Sequence, residues 1–181
     1  MTSAKFWDKR ARKYAASKIA DPSAYEYTRE RTRSYLKTTD AVLEMGCGSG
    51  STALELAADA GRIIGTDVSS EMVKIATEKA QSGGVTNASF RVATVDDALN
   101  APEPVDVVMG FNIFHLVRNR EEIYAEIYRK LPVGGTFISK TPCLSEPSIG
   151  LKRFAFAAMI PLMRMLGIAP YVARFSFAEH E

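Results

Sequence analysis

Residues 41–50, AVLEMGCGSG, decide the fold of this chain. The first five form a short apolar run typical of a buried parallel strand, and glycines then follow at alternate positions 46, 48 and 50. Glycine has no Cβ atom, so such a loop turns tightly and approaches a ligand closely. A helix over 52–60 is expected next, with its free N–H groups and positive dipole end directed at a bound anion. Taken alone, the loop also fits a purely structural turn.

The same order of strand, turn and helix continues along the chain. The sequence predicts further strands over 62–66, 88–93, 105–111 and 136–139, and helices over 71–81 and 120–131. Alternating short strands and helices are typical of an α/β fold with a doubly wound, mostly parallel sheet.

Two helices are predicted before this region. Phe6, Trp7 and Tyr14 recur at helical spacing among basic residues. Asp21 and Pro22 then supply an N-cap residue and a first-turn proline for a second helix. Residues 1–37 hold ten Lys or Arg against four Asp or Glu. Such a segment suits nucleic acid or anionic lipid, or it is the solvated face of two surface helices.

The composition is that of a folded globular protein. The chain has 181 residues, of which 46% are hydrophobic and 24% charged, and its net charge is +2. These values exclude a disordered chain. Cys47 and Cys143 have neither metal-site spacing nor a disulfide framework, and the start has no secretory signal. The apolar stretch 154–170 is interrupted and too short to span a bilayer. We expect a cytoplasmic protein with no metal and no stable membrane insertion.

Asp67 makes the glycine-rich loop more informative. It lies 21 positions after Gly46, at the end of the second predicted strand. A carboxylate at that place accepts hydrogen bonds from both hydroxyls of a ribose, in NAD as in S-adenosylmethionine. Ser51, however, stands where the dinucleotide fingerprint has its third glycine.

Four motifs in this order carry a family resemblance: VLEMGCGSG (42–50), GTDVSSEM (65–72), VDVVMGFNIFHLV (105–117) and LPVGGTFISKTP (131–142). Together they resemble the class I S-adenosylmethionine-dependent methyltransferases, and within them the bacterial small-molecule branch related to the ubiquinone and menaquinone methyltransferases. The resemblance covers residues 6 to 140 and implies S-adenosylmethionine as the cofactor.

The resemblance also implies a set of cofactor-binding residues. Glu44 would steer the amino group of the cofactor, the loop would line its methionine part, and Asp67 would hold the ribose. Val68 and Met72 would pack against the adenine, or belong to the ordinary core. The full set is Glu44, Gly46, Cys47, Gly48, Gly50, Asp67, Val68, Met72, Thr94, Asp96, Phe111 and Asn112.

One of these positions departs from the family pattern. After the third strand the family usually has an acidic residue that accepts from the adenine amino group, and here Thr94 stands in its place. Either the loop shifts to bring in Asp96, or Thr94 and nearby backbone make a weaker contact.

Candidate residues for chemistry and substrate binding follow from the same comparison. Phe111 and Asn112 would face the methyl donor, and His115 is the candidate general base. Tyr14 and Tyr25 lie in the helices that form the lid in related enzymes, where they contact substrate or simply pack.

The segment after the predicted core is rich in methionine and other apolar residues, among them Met159 and Met163. We expect it to cover the active site with an apolar substrate pocket, or to be a packed surface helix. The sequence thus predicts one domain: lid helices at 1–37, a cofactor-binding core at 38–140, and an apolar cap with a C-terminal stub at 141–181. Related enzymes continue with strands six and seven, which we expect to be lacking, leaving strand five as an open edge available for homo-association.

Three functions remain in competition. The first is methyl transfer from S-adenosylmethionine to a small, partly apolar acceptor, without a nucleic-acid partner. The second is a non-catalytic protein that binds the cofactor. The third is an RNA methyltransferase that uses the basic N-terminal helices, although no RNA-binding module is recognisable.

Overall fold

A computed structural model describes residues 3–142, 159 and 171–172. Within these residues, five parallel strands form one sheet: β1 (Ala41–Met45), β2 (Arg62–Asp67), β3 (Ala88–Val92), β4 (Val107–Phe111) and β5 (Thr136–Lys140). Their order is β3-β2-β1-β4-β5, which confirms the α/β fold with a doubly wound sheet. The order reverses between β1 and β4, and ligands bind such sheets at the carboxyl ends of those strands. The expected absence of strands six and seven concerns residues outside the described ranges.

The helices of the described region are α1 (Ser3–Asp8), α2 (Ala11–Ala15), α3 (Pro22–Arg33), α4 (Ser51–Leu56), α5 (Ser70–Ser82), α6 (Val95–Asn100) and α7 (Arg120–Lys130). Single turns of 3-10 helix follow at Ala57–Asp59 and Phe114–Leu116.

Two apolar layers cover the two faces of the sheet. On one face, Val42 and Ile63 are buried together with residues of α4. On the other, Leu43 and Met45 are buried with residues of α6 and α7. Successive strand residues point to opposite faces, so an apolar run such as β1 serves both layers. Glu44 shares the α4 face with Val42, and it is the acidic exception in the strand.

The N-terminal segment differs from the prediction of two helices. The first predicted helix is interrupted between α1 and α2 at Lys9 and Arg10. The backbone N–H of Arg10 bonds to the carbonyl of Trp7, and the Arg10 guanidinium lies over the Phe6 ring, 3.8 Å from its centre. This turn redirects the chain so that both short helices pack against α5. The second predicted helix is α3, and Asp21 caps it as expected by accepting from the N–H of Ala24 at 2.9 Å.

Helix α6 was not predicted, and the start of α5 was misplaced by one residue. Thr94 and Asp97 form a reciprocal capping box that starts α6. The cap of α5 is Ser69, whose hydroxyl accepts from the N–H of Met72, and not Ser70. Both starts depend on which side chain reaches back to the helix N–H groups, and adjacent serines leave that choice open in a sequence.

Candidate functional site

A cleft of about 450 Å³ lies at the crevice between the carboxyl ends of β1 and β4. The glycine-rich loop forms one wall, and α2, the linker after it and α3 form the opposite wall. The lining residues are Tyr14, Ala15, Ser17, Lys18, Ile19, Ala20, Tyr25, Thr28, Arg29, Glu44, Gly46, Cys47, Gly48, Ser49, Ser51, Thr52, Phe111, Asn112 and Lys140. Eight of the residues predicted to bind cofactor or substrate therefore meet in one place: Tyr14, Tyr25, Glu44, Gly46, Cys47, Gly48, Phe111 and Asn112.

The glycine-rich loop is held in shape by backbone contacts and close packing. Gly50 has a φ of +75°, and a Cβ atom there would lie 2.7 Å from Cβ of Ala76 and 2.9 Å from the Phe90 ring. The same ring also lies 2.6 Å from where a Cβ of Gly65 would be. Neither glycine has room for a side chain. At Gly48 (φ +53°) the nearest atom to such a Cβ is a ring carbon of Tyr14 at 3.6 Å, so this glycine faces the cleft.

Glu44 is the most unusual side chain of the cleft. It is 3% exposed, and its Oε2 has no hydrogen-bond partner among the described residues. Burial raises the pKa of Glu44 from 4.5 to about 8, with a smaller contribution from the nearby Asp67 carboxylate. A buried carboxyl group without a partner is costly to the fold, and a cationic group in the cleft would supply the missing partner.

Asp67 closes the loop from the end of β2. Its Oδ2 accepts from the N–H of Gly48 at 3.0 Å, and its Oδ1 accepts from the N–H of Ser69 at 2.9 Å. Desolvation raises the pKa of Asp67, and the two backbone donors act in the opposite direction. Each carboxylate oxygen accepts more than one hydrogen bond, so both still have capacity for hydroxyl groups of a ligand.

Asn112 follows β4 in a left-handed conformation, with a φ of +57°. Its N–H donates to the carbonyl of Lys140 at 2.7 Å, which fixes the end of β4 against the end of β5. Asn is one of the few residues other than glycine that adopts this conformation readily. The turn keeps Phe111 and Asn112 in the lining of the cleft.

The two predicted lid tyrosines are both at the cleft but differ in their contacts. The pKa of Tyr14 is raised by desolvation and by the nearby acids Asp67 and Glu44. The hydroxyl of Tyr25 donates to Oε2 of Glu55 at 3.1 Å, an acid that also pairs with Arg29. Tyr25 thus holds α3 against α4, whereas Tyr14 lies over the loop.

Cys47 is buried in the loop, and burial raises the pKa of its thiol well above the ordinary value, so it is present as the neutral thiol. In the part of the chain that the structure describes, no group of three or more metal-ligating side chains is present. Likewise, no helix of that part is long and apolar enough to cross a membrane.

Other predicted site residues lie away from this cleft or are already engaged. Thr94 accepts from the N–H of Asp97 in the α6 cap, and Asp96 is exposed and accepts from Asn119 at 3.4 Å. Met72 is 2% exposed and packs as a core residue, while Val68 is half-buried beside Asp67. The roles proposed for all four in adenine binding stay predictions.

His115 lies in the 3-10 turn after β4 and does not line the cleft. Burial lowers its pKa, and its Nδ1 lacks a hydrogen-bond partner within the described ranges. Met159 is 45% exposed, and Met163 lies outside the described residues.

Two residues at this site carry no role in the sequence prediction. Asp8 of α1 accepts from the Ser69 hydroxyl at 2.7 Å and from the N–H of Glu71 at 3.3 Å, beside Asp67. Lys140 reaches from β5 to α3 across the cleft. No sequence pattern around Asp8 indicates a role for it, because its partner Ser69 is 61 positions away. Lys140 had one signal, its place at the carboxyl end of a predicted strand.

Comparisons with known proteins identify the family of the chain. The sequence profile of a family described as a methyltransferase domain matches residues 36–160. Juvenile hormone acid O-methyltransferase of Bombyx mori is 31% identical over 116 residues, which cover 59% of this chain and 41% of that protein.

Two solved structures share the fold. The YcgJ protein of Bacillus subtilis has a TM-score of 0.69 at 22% identity, covering 86% of this chain and 64% of that one. Geranyl diphosphate C-methyltransferase of Streptomyces coelicolor, solved with Mg²⁺, geranyl diphosphate and S-adenosyl-L-homocysteine, has a TM-score of 0.65 at 16% identity, covering 98% and 77%.

The profile match covers well over half of the chain, so the chain belongs to the methyltransferase-domain family. The resemblance to class I methyltransferases is confirmed, and the narrower likeness to the ubiquinone and menaquinone branch stays a prediction. The matched part spans 41% of the length of the Bombyx mori protein.

Proposed function

We propose that this chain binds S-adenosylmethionine in the cleft and transfers its methyl group to a small molecule. Family membership supports the chemistry, and the observation that carries the assignment is Glu44. Its buried carboxyl oxygen has no partner among the described residues, and the ammonium of the amino-acid part of the cofactor is a cation of the right kind to pair with it.

Residues in and beside the cleft fit the rest of the cofactor. The loop offers a surface free of a side chain at Gly48. Asp67 is not part of the cleft lining but bonds to the N–H of Gly48, and it has acceptor capacity for the ribose hydroxyls. When bound, S-adenosylmethionine supplies an activated methyl group: an acceptor lone pair forms the new bond to the methyl carbon, the carbon–sulfur bond breaks, and its electron pair passes to sulfur. The part of the chain is to align the acceptor and exclude water.

No histidine lines the cleft in the described part of the chain. Among the described lining residues, the groups that are acids are the phenols of Tyr14 and Tyr25, the thiol of Cys47 and the carboxyl of Glu44, all with a raised pKa. This set favours an acceptor that is already a nucleophile near neutral pH, without strong base assistance. We keep His115 as the candidate base only for an acceptor that extends beyond the cleft.

Calorimetry with S-adenosylhomocysteine tests the proposal. Glu44→Gln keeps the shape but removes the negative charge, so binding should weaken roughly ten- to a hundred-fold, the loss expected for a charge-assisted hydrogen bond. Glu103→Gln, which removes an exposed partner of Arg91, is the matched control and should bind as the wild type does. Wild-type protein that fails to bind, or equal affinity in Glu44→Gln, would contradict the assignment.

The raised pKa of Glu44 gives an independent readout. At neutral pH the free carboxyl is protonated, and it must lose its proton to pair with an ammonium. Binding should therefore release a proton, and affinity should increase as pH rises towards about 8. Titrations in buffers of different ionisation enthalpy measure that proton directly.

The two rival functions differ in their readouts. A protein that only binds the cofactor would show this affinity. When incubated with radioactive S-adenosylmethionine and a cell extract, it would transfer no labelled methyl group to any component of the extract. An RNA methyltransferase needs free basic groups on the N-terminal helices. Arg29 and Arg33 of α3 are instead paired with Glu26, Glu55, Glu30 and Asp59, so these two arginines are not free to bind RNA.

A further inference from the structure

Lys140 lies in the wall of the cleft, beside the residues expected to face the methyl donor. It ends β5, and its neighbour in the parallel register of β4 is Phe111. Its carbonyl accepts from the N–H of Asn112 at 2.7 Å. The carboxyl ends of β4 and β5 lie at the same edge of the sheet, and Lys140 lines the cleft there together with Phe111 and Asn112.

Among the described residues, the ammonium group of Lys140 has only uncharged partners. Its Nζ donates to Oγ1 of Thr28 at 2.9 Å and to the carbonyl of Ala24 at 3.4 Å, both on α3. It forms no ion pair with any residue in the described ranges. A lysine ammonium has three donors, so one donor and the whole positive charge remain available to a ligand.

The other charges of the cleft leave this end positive. Arg29 is offset by Glu26 and Glu55, while Lys18 also lacks an ion pair in the part of the chain that is described. Among the described residues, Glu44 is the one carboxyl group in the lining, and it is uncharged near neutral pH in the free protein because of its raised pKa. The cleft is therefore polarised, with the Glu44 carboxyl at β1 and cations that form no ion pair with any described residue at β5 and in the linker before α3.

We propose that the methyl acceptor carries an anionic group, a carboxylate or a phosphate, which binds to Nζ of Lys140. This inference rests on the proposed function, because it assigns the acidic end of the cleft to the cofactor and the basic end to the acceptor. Thr28 is a positioning residue: its hydroxyl donates to the carbonyl of Ala24 at 2.7 Å and accepts from Nζ, which aims the ammonium into the cleft. Lys18, at the rim, adds to the attraction of anions.

The test measures binding of acids and their uncharged counterparts to protein saturated with S-adenosylhomocysteine. Octanoate, cinnamate and hexyl phosphate are compared with octanamide, cinnamamide and hexanol by ligand-observed NMR. In the wild type, at least one of the anions should bind at least ten-fold more tightly than its neutral counterpart. Lys140→Met should abolish that difference, and Lys140→Arg should retain most of it. Lys74→Met, on the exposed side of α5, is the matched control and should behave as the wild type.

Each outcome decides the matter. A preference for carboxylates over hexyl phosphate, or the reverse, identifies which anion the cleft takes. If no anion binds more tightly than its neutral counterpart, or if the preference survives in Lys140→Met, the inference is wrong although the proposed function stands. Failure of the wild type to bind S-adenosylhomocysteine is a separate result, and it removes the proposed function itself. Circular dichroism of each variant establishes that it is folded.

Discussion

At the scale of single residues, Glu44 links stability to pH. Its pKa is raised to about 8 in the folded protein, against 4.5 for an ordinary glutamate. Between these values the folded state binds more protons than the unfolded state, so the free energy of unfolding falls as pH rises. The slope is at most about 1.4 kcal/mol per pH unit for one group.

Glu44→Gln should remove this decrease in the free energy of unfolding with rising pH. We expect the variant to exceed the wild type in unfolding free energy by an amount that grows by a few kcal/mol between about pH 5 and about pH 8. Urea unfolding of the cofactor-free protein measures it. Glu103→Gln should show no such gain, because Arg91 lowers the pKa of that exposed carboxyl. A pH-independent difference for Glu44→Gln would mean that its carboxyl is not buried in solution.

Gly48 and Gly84 form a matched pair for testing the loop. Both have a positive φ, +53° and +65°, and neither has an atom closer than 3.4 Å to an added Cβ. Substitution by alanine should therefore lower the free energy of unfolding by a similar amount at each position, about 1 kcal/mol, through backbone strain. Only Gly48→Ala should also weaken S-adenosylhomocysteine binding, because its Cβ enters the cleft beside Tyr14. Equal affinities in calorimetry would show that the ligand does not contact the loop at this position.

The sequence predicted residues whose role depends on local chain geometry. Glycines 46 and 48 and Asp67 follow strand ends, and strand ends of a parallel sheet meet at one edge. Features that depend on residues far apart in the chain could not be predicted. Examples are Oε2 of Glu44, which lacks a hydrogen-bond partner among the described residues, and the hydrogen bonds that the Asp8 carboxylate accepts from Ser69 and Glu71. The helix cap at Thr94 is another feature that the sequence did not predict, and the role expected for Thr94 in adenine binding stays a prediction.

At the scale of elements, α1 is tied to the first turn of α5 through Asp8. The carboxylate accepts from the Ser69 hydroxyl and from the N–H of Glu71, where the positive end of the α5 dipole also favours an anion. These contacts place α1 and α2 beside the cleft. They also explain why the N-terminal segment, poor in core residues, packs on the domain.

Asp8→Ala should release this contact at a cost of about 1 kcal/mol, as for the loss of a helix cap. Amide hydrogen exchange in α1 and α2 should accelerate, while exchange in β1 and β4 should not change. Asp8→Asn keeps an acceptor oxygen and should recover part of the protection. The exposed Asp96 provides the control substitution Asp96→Ala. Unchanged exchange in Asp8→Ala would show that apolar packing alone holds α1.

Where the apolar residues recur with a strong periodicity, the ends of the element were predicted to within one or two residues, as for α7 and β5. Those that were missed are short. Helix α6 has six residues and the turn at Phe114–Leu116 has three, so neither completes the apolar repeat on which a prediction depends.

At the scale of the whole molecule, β5 is an edge of the described sheet and pairs only with β4 there. Phe137 on this strand is 38% exposed. The N–H of Thr136 donates inward to the carbonyl of Asp106, so by alternation the N–H of Phe137 points away from β4. Homo-association through this edge stays a prediction.

Sedimentation velocity over a range of concentrations tests it. The wild type should associate as concentration rises, because an edge strand can pair with another strand. A wild type that remains monomeric at every concentration would show that the edge is not available for pairing.

The ring of Phe90 occupies the space that side chains at Gly50 and Gly65 would need. Three positions on three elements therefore share one volume, and none can change in size independently. Among homologous sequences we expect coordinated variation: a smaller residue at position 90 should accompany alanine or serine at 65, and a phenylalanine should occur only with glycine there. Position 50 should stay glycine in both cases, because Cβ of Ala76 also blocks it and its φ is positive. The same rule limits any attempt to redesign the loop, because enlarging Gly65 requires Phe90 to be replaced in the same step.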